Sequence, residues 1–366
     1  MAEMETGLAP KKKKRKKKKQ SLFKSIVTGL IPWKGDSPME VFRKIIFIAS
    51  LVIFVVAVVV LAGNMLRYAD LDQNAGTESD GSEAAANAYI IDLKNQTPTQ
   101  AQIEQLPEGT INEEYAALYE ANNDFIGWVN IPGTNVDYPV MQAEDNEYYL
   151  HKDFDGNDLF AGTIFTDYEG RFGPNEMPNN TILYGHNMLY KYQFSALSNY
   201  PRDIEFLRMS PVVNFNTLYQ DNKYKIFAVF KVNTNSEHGE VFDYINYVYF
   251  KNQSEFFEYV CEAMDRSLYE TGVDVEYGDE LLTLSTCDAS TGFDDMRLVI
   301  VARRVRDNES PEVDTSKFKR KQSVKYFDAY YEVIGNTWKG RTWDVSLFKG
   351  MEEYLRENGL WDEPEE

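Results

Sequence analysis

The fold of this chain is decided by residues 281–305, which read LLTLSTCDASTGFDDMRLVIVARRV. Two β-rich runs, LLTLSTC and MRLVIVARRV, are joined by the eight residues 288–295 of a mostly polar loop, a length that suits a hairpin between antiparallel strands. This hairpin places Cys287 beside Arg297. Because strand side chains alternate between faces, Arg297 shares its face with two valines. Such an arginine is either a rim residue, paired with an acid of the loop, or part of a site.

Working outward, five more β-rich runs lie between turn-forming residues: FIGWVNI (125–131), VDYPVM (136–141), GTIFTD (162–167), NTILYGH (180–186) and YKIFAVFKV (224–232). Together with the hairpin they predict a mainly β domain, a largely antiparallel sheet closed into a barrel or a sandwich. Apolar residues at three- and four-residue steps predict a helix over 254–268, before the hairpin, and a shorter one near 112–121.

Length and composition narrow the class of protein. The 366 residues are 43% apolar and 14% aromatic, enough for one large domain with appendages or for two domains. Two cysteines, Cys261 and Cys287, exclude a disulfide scaffold and a four-cysteine zinc site. The net charge of −20 is unevenly distributed, since residues 1–44 hold 13 basic against 4 acidic residues.

An uncharged apolar run at residues 45–63 follows this basic segment. As a helix it would extend roughly 28 Å, close to the hydrocarbon thickness of a bilayer. A cleavable signal peptide has a shorter apolar stretch and no such long basic preface, so we predict one transmembrane helix. Flanking basic residues stay inside, which predicts a cytoplasmic segment 1–44, a membrane anchor and an extracellular remainder.

The extracellular part divides by composition into three segments. Residues 64–102 are predicted as a linker, 103–306 as the main folded domain, and 307–366 as an aromatic extension that packs on the domain or on a neighbour. The basic run Lys11–Lys19 is open to three interpretations: a nucleic-acid tract, a site for anionic inner-leaflet lipids, or a disordered topology signal. Beside a span, contact with anionic lipids is a simpler interpretation than nucleic-acid binding, which is not expected, and the disordered topology signal is the favoured interpretation.

Three residue types on these strands could perform thiol chemistry. Cys261 falls on the apolar stripe of its helix and is predicted to be a core residue, whereas Cys287 ends a strand before a polar loop. His186 ends another strand after a glycine, while His151 and His238 are expected in solvated loops. Cys, His and Arg can supply a nucleophile, a proton donor and an oxyanion partner. The histidine precedes the cysteine, which argues against a papain-like peptidase.

These residues carry a resemblance to the class B sortases, membrane-anchored cysteine transpeptidases of Gram-positive bacteria. Residues 124–304 resemble that family through DFIGWVNIPGTNVDYPVMQAEDNEYYL, GTIFTDY, NTILYGHNM, LTLSTCD and RLVIVARRV. The segment TLSTC, Thr283–Cys287, with an arginine in the following strand, is the most specific part of the match. The resemblance implies a closed eight-stranded β-barrel with N-terminal helices and an extra helix before the cysteine strand.

The resemblance also implies the activity. Cys287 would attack the Thr carbonyl of a C-terminal sorting signal on a secreted protein and form a thioester, which an amine of a peptidoglycan precursor or of a pilin would resolve. His186 would act as general acid and base, and Arg297 would hold the substrate backbone and steady the oxyanion. The implied substrate-groove residues are Asn146, Leu150, Ser285 and Thr286.

Some roles stay unassigned at this point. Asp288 follows the nucleophile, but its charge would oppose a thiolate, so it receives no catalytic role. No EF-hand-like loop is present in the sequence, and no cofactor or metal is expected. Wall anchoring and pilin polymerisation use the same site residues and both remain open. The rival classes are a cysteine hydrolase and a non-catalytic, membrane-tethered surface-binding module.

Overall fold

The computed structural model describes residues 31–32, 34–55, 79–188, 192–293 and 295–361. The chain forms two compact units, Met1–Gln73 and Asn74–Glu366. In the first unit, residues 38–55 form helix α1. Within the described ranges no helix combines the length and the apolar character needed to cross a membrane. The predicted span 45–63 coincides with α1 up to residue 55, and its remaining residues lie outside the described part.

The second unit is built on a closed β-barrel of eight strands in the order β1-β2-β3-β4-β9-β10-β6-β5. Only the β2–β3 and β4–β9 pairs of this barrel are parallel. The barrel alternative is therefore confirmed over the sandwich. The twelve strands seen in the described residues are β1 Phe125–Asn130, β2 Asp137–Met141, β3 Phe165–Thr166, β4 Asn180–Tyr184, β5 Val212–Thr217, β6 Asp221–Asn233, β7 Tyr269–Glu270, β8 Val275–Glu276, β9 Leu281–Cys287, β10 Met296–Arg304, β11 Lys319–Arg320 and β12 Phe348–Lys349.

Helices surround the barrel, and the predicted helix before the cysteine strand is confirmed as α6. In the described part the α-helices of this unit are α2 Ser79–Asn95, α3 Gln100–Ile103, α4 Ala116–Ala121, α5 Ile204–Met209, α6 Gln253–Arg266, α7 Asp328–Ile334 and α8 Met351–Glu357. Short 3₁₀ helices lie at Glu113–Tyr115, Tyr148–Leu150, Phe194–Asn199, Ser236–His238, Tyr244–Asn246, Thr315–Lys317 and Val345–Leu347.

The predicted hairpin is the β9–β10 pair, and its alternation divides the core in two. Leu284 and Ile300 point inward to the barrel core, whereas Val299 and Val301 point outward to a second core. That outer core is covered by α6, whose apolar stripe includes the buried Cys261, as the sequence predicts. The outward face of β9 and β10 is therefore partly covered, and it is also the face that carries Cys287 and Arg297.

The segment predicted as a linker, 64–102, needs correction because it contains a packed helix. Helix α2 occupies residues 79–95. Near its end Ile90 is buried among aromatic side chains, and the Lys94 ammonium lies 3.8 Å from the centroid of the Trp128 ring. The start of the segment is polar and acidic and so has the composition of a linker. Its apolar residues are concentrated in the last turns of α2, where they contact the barrel.

The aromatic extension packs on the outer face of the barrel and on α6. Trp343 and Phe348 belong to the outer core together with residues of α6. The buried carboxylate of Asp265, near the end of α6, accepts a hydrogen bond from Trp343 Nε1 at 2.7 Å and pairs with Arg341 at 2.9 Å. The prediction that the extension packs on the domain or on a neighbour is thus resolved in favour of the domain.

Candidate active site

A cleft of about 480 Å³ opens on the outer face of the barrel at the ends of β4, β9 and β10. Its lining includes all seven residues that the sequence singles out: Asn146, Leu150, His186, Ser285, Thr286, Cys287 and Arg297. The segment 241–245 forms another wall of the cleft, which the sequence analysis did not identify. The structure thus brings together residues that are up to about 150 positions apart in the chain.

Strand register places Cys287 between the other two proposed catalytic residues. On one side, β10 pairs antiparallel with β9 so that Arg297 lies directly opposite Cys287. On the other side, β4 runs parallel to β9 with Tyr184 opposite Ser285. His186 and Cys287 each come two residues later, so their side chains project from the same face at the next position of the ladder. The three side chains therefore meet across three adjacent strands.

The imidazole of His186 is held by the backbone of the segment before β3. Its Nε2 lies 2.9 Å from the carbonyl oxygen of Leu150, and because a carbonyl only accepts, Nε2 carries the hydrogen. The His151 ring stacks near it, with centroids 5.8 Å apart. Burial lowers the pKa of His186, the hydrogen bond to Leu150 opposes this effect, and the neighbouring His151 and Arg297 lower the pKa further. The neutral imidazole is thus favoured when no substrate is bound.

The thiol of Cys287 is exposed at the end of β9. Its backbone carbonyl accepts a hydrogen bond from Asn187 Nδ2 at 2.9 Å, and the same amide group donates to Ser198 Oγ at 2.8 Å. Asn187, the residue that follows His186, therefore ties the end of the cysteine strand to the segment after β4. Sequence reasoning did not identify this contact, although an amide directly after the strand-ending Tyr-Gly-His was the available signal.

The two charged neighbours of the site have separate partners. Arg297 Nη1 donates to the carbonyl of Met296 at 3.1 Å. Of the acids that could pair with it as a rim residue, Asp295 accepts a hydrogen bond from Asn235, and Asp294 lies outside the described residues. Asp288 pairs with Lys231 at 2.9 Å, so the negative charge that follows Cys287 is compensated on the side of β6.

The four substrate-groove candidates line the cleft in different ways. Asn146 is held in place because it donates to Asp167 and accepts from the Tyr168 amide. Leu150 contributes its carbonyl to His186. The Ser285 hydroxyl hydrogen-bonds to the Tyr244 hydroxyl at 2.6 Å, which ties β9 to the wall 241–245. These contacts position the cleft wall, and the assignment of the four residues to substrate contact stays a prediction.

Three residues that the sequence analysis discussed remain to be placed in the structure: Thr286, His151 and His238. The Thr286 hydroxyl is buried and has no hydrogen-bond partner in the structure. His151 is exposed, as expected, but His238 is not a solvated loop residue, because its ring packs 4.9 Å from that of Phe293 and 6.4 Å from that of Phe327. Within the described residues no group of three or more potential ligands is placed to hold a metal ion.

Comparisons with known proteins agree with this geometry. A family model described as a sortase domain matches residues 129–305. Two curated relatives named sortase B match over about 200 residues: the protein of Listeria monocytogenes at 34% identity and that of Staphylococcus aureus at 28% identity. Each alignment spans 54% of this chain and 76% of the relative.

Solved structures give the same result. A Staphylococcus aureus sortase B–substrate complex matches with a TM-score of 0.53 at 25% identity, and covers 63% of this chain and 100% of that one. Sortase B from B. anthracis in complex with AAEK2 matches with a TM-score of 0.50 at 30% identity, and covers 60% of this chain and 94% of that one.

Proposed function

This chain belongs to the class B sortases, which are cysteine transpeptidases, and from that premise we propose that Cys287 cleaves a C-terminal sorting signal after its threonine. The supporting observation is the single cleft in which the exposed thiol lies between His186 and Arg297. The class of substrate is a secreted protein that carries a sorting signal. The acceptor is an amine of a cell-wall precursor.

The proposed reaction has two steps. Cys287 gives its thiol proton to His186 and its sulfur attacks the threonine carbonyl, and the negative charge that develops on the carbonyl oxygen is stabilised by the Arg297 guanidinium. Collapse of this intermediate breaks the peptide bond, while His186 gives a proton to the leaving amine and a thioester remains on the enzyme. An incoming amine then attacks the thioester and transfers its proton to His186, which releases the thiol and forms a new amide.

The lowered pKa of His186 bears on this cycle. In the first step His186 acts as a general acid and must be protonated when the leaving amine departs. In the second step it accepts a proton from the incoming amine, and the neutral state favoured in the free site is the correct state for that role. A bound thiolate or oxyanion in the cleft would favour the imidazolium by charge attraction. The protonation state of His186 is therefore expected to change with the charge of the neighbouring sulfur.

The test is mass spectrometry of the exported domain with a panel of LPxTG-like and NPxTN-like peptides, with and without an amine such as triglycine. We expect an acyl adduct on Cys287 with one motif and an amide product only when the amine is present. Cys287→Ala should form neither. An adduct on another residue, or a hydrolysis product that added amine does not divert, would contradict the transpeptidase assignment.

The location of the enzyme is part of the proposal. Residues 45–63 are proposed as a single membrane anchor, with segment 1–44 in the cytoplasm, Lys11–Lys19 on anionic lipids, and the catalytic domain outside. The charge asymmetry and the uncharged run support this topology. Protease treatment of intact protoplasts should degrade the catalytic domain and spare an epitope at the N-terminus, and the reverse pattern would refute the proposed orientation.

A further inference from the structure

The C-terminal extension contacts two loops that border the cleft, in addition to the outer core. One loop, 288–295, connects β9, which ends at Cys287, to β10, which carries Arg297. The other, 234–245, follows β6 and ends in the cleft wall 241–245. Unlike the ends of β4, β9 and β10, which ladder hydrogen bonds fix, these loops are joined to each other by fewer contacts, among them the bond from the Thr234 amide to the Asp295 carbonyl at 2.9 Å.

An aromatic cluster joins the extension to both loops. Phe327, directly before α7, is 4% exposed and packs edge-on against Phe293 of the loop 288–295, with ring centroids 5.2 Å apart. His238 of the other loop lies 4.9 Å from the Phe293 ring and 6.4 Å from the Phe327 ring. One side chain of the extension thus contacts both loops, at a point where they also contact each other.

Two further contacts hold the segment 238–240, directly before the cleft wall. The backbone of Gly239 approaches the start of α7 so closely that a side chain there would lie 2.8 Å from the Asp328 amide nitrogen. Glu240 pairs with Lys325 of the extension at 3.0 Å and with Arg266 of α6 at 3.2 Å. The wall itself then contacts the cysteine strand through the Tyr244–Ser285 hydrogen bond.

We propose that the extension is a positioning element of the active site, in which Phe327 fixes the loops 234–245 and 288–295 and so holds the substrate-binding wall of the cleft. This inference rests on the proposed transpeptidase function. Because the strand register fixes Cys287 and Arg297 independently, loss of the Phe327 contact should impair substrate binding more than the chemical step. Phe327 touches no residue of the cleft lining through its ring contacts and acts through the loops.

The extension offers a matched control. Phe348 is the same residue type, is 3% exposed, and packs on Phe227 and Trp343 at the outer core, away from both loops. Phe327→Ala and Phe348→Ala therefore delete the same group from equally buried positions. A role in stability alone predicts similar effects of the two changes on catalysis, whereas the proposed positioning role predicts different effects.

The experiment uses the whole second unit, Asn74–Glu366, and the sorting peptide that forms the acyl adduct on Cys287. Phe327→Ala should raise KM about 2- to 10-fold, the range expected from the loss of an aromatic pair, with a smaller change in kcat. Phe293→Ala should act likewise, and the double variant should be no worse than either single one. Phe348→Ala should leave KM within twofold of the wild type. If Phe327→Ala fails to fold, Phe327→Leu keeps most of the volume and removes the ring.

A readout independent of activity separates this proposal from the proposed function. Amide hydrogen exchange followed by mass spectrometry should be faster in 234–245 and 288–295 for Phe327→Ala than for Phe348→Ala. If the wild type forms no acyl adduct, the proposed function fails and the exchange comparison still decides on the positioning role. Equal exchange in the two loops, or equal KM values in an active enzyme, would overturn the inference.

Discussion

The arginine opposite the proposed nucleophile is the residue whose proposed role depends most directly on strand register. Arg297 faces Cys287 across the β9–β10 ladder. Its guanidinium would be a preformed partner for the oxyanion, and removal of one such partner lowers rates by about 10²- to 10³-fold. We expect Arg297→Ala to slow acylation by this factor in a single-turnover assay and to leave the thiol in place.

The matched variant is Arg297→Lys, which keeps the charge but not the planar fork, and should fall between the wild type and the alanine variant. A loss of less than tenfold in Arg297→Ala, with the fold retained by circular dichroism, would remove Arg297 from the acylation step. Alkylation of Cys287 by iodoacetamide in each variant reports whether the thiol is still accessible.

The pKa of His186 gives a second prediction at the scale of single residues. Burial is the main cause of the lowered value, and the charge of the adjacent His151 adds to it. Removal of that positive charge stabilises the imidazolium, so His151→Gln should raise the pKa of His186. NMR titration of the imidazole measures it directly. His151→Lys, which keeps a positive charge, should not raise it, and a decrease in the glutamine variant would show that the electrostatic account is wrong.

At the scale of elements, the ends of β4 and β9 are tied by one side chain. Asn187 donates to the Cys287 carbonyl from the segment that follows β4. Loss of a hydrogen bond of this kind costs about 0.5–1.5 kcal/mol, so Asn187→Ala should lower kcat/KM about 2- to 10-fold by loosening the position of the thiol. The control is Ser198→Ala, which removes the other acceptor of the amide and leaves the cysteine contact. Equal effects of the two changes would show that Asn187 acts on the local turn alone.

The hairpin and the helix before it could be predicted from the sequence because their signals are local. Alternation in β9 and β10, a polar loop of fitting length, and the apolar stripe of α6 each reside within one stretch of chain. Strand β5 was missed although it alternates inward and outward, because Asn214 and Asn216 on its outer face resemble turn residues. Helix α2 was missed because its composition matches a linker.

The candidate site could be assembled from the sequence only in part. The adjacency of Cys287 and Arg297 follows from the hairpin, but that of His186 requires the parallel β4–β9 pairing, which joins strands about a hundred residues apart. No local pattern encodes that pairing, and the resemblance to class B sortases supplied it. The cleft wall 241–245 has no regular alternation, so its contact with Ser285 through Tyr244 becomes visible only in the folded chain.

At the scale of the whole molecule, the extension and the barrel share one buried core and one buried charge. Asp265, on α6, is almost fully buried and accepts hydrogen bonds from Arg341 and Trp343 of the extension. Nearby, burial lowers the pKa of Lys321 to about 8, although its ammonium donates to backbone carbonyls of α6. The Arg341 and Lys321 cations of the extension are buried beside Asp265 and the end of α6. Detachment of the extension would therefore leave the buried Asp265 carboxylate without its hydrogen-bond partners.

This arrangement predicts that the extension and the barrel unfold together. Asp265→Ala leaves the Arg341 cation without its carboxylate, and removal of one partner of a buried pair typically lowers the free energy of unfolding by about 3–5 kcal/mol. Tryptophan fluorescence in urea reports mainly on the extension, which holds three of the five tryptophans, and circular dichroism reports on the barrel. Both transitions should shift together.

The control, Glu352→Ala, breaks a solvent-exposed pair with Arg356 and should change the free energy of unfolding by less than about 1 kcal/mol. Two separate transitions in the wild type, or equal losses in the two variants, would mean that the extension folds as an independent appendage.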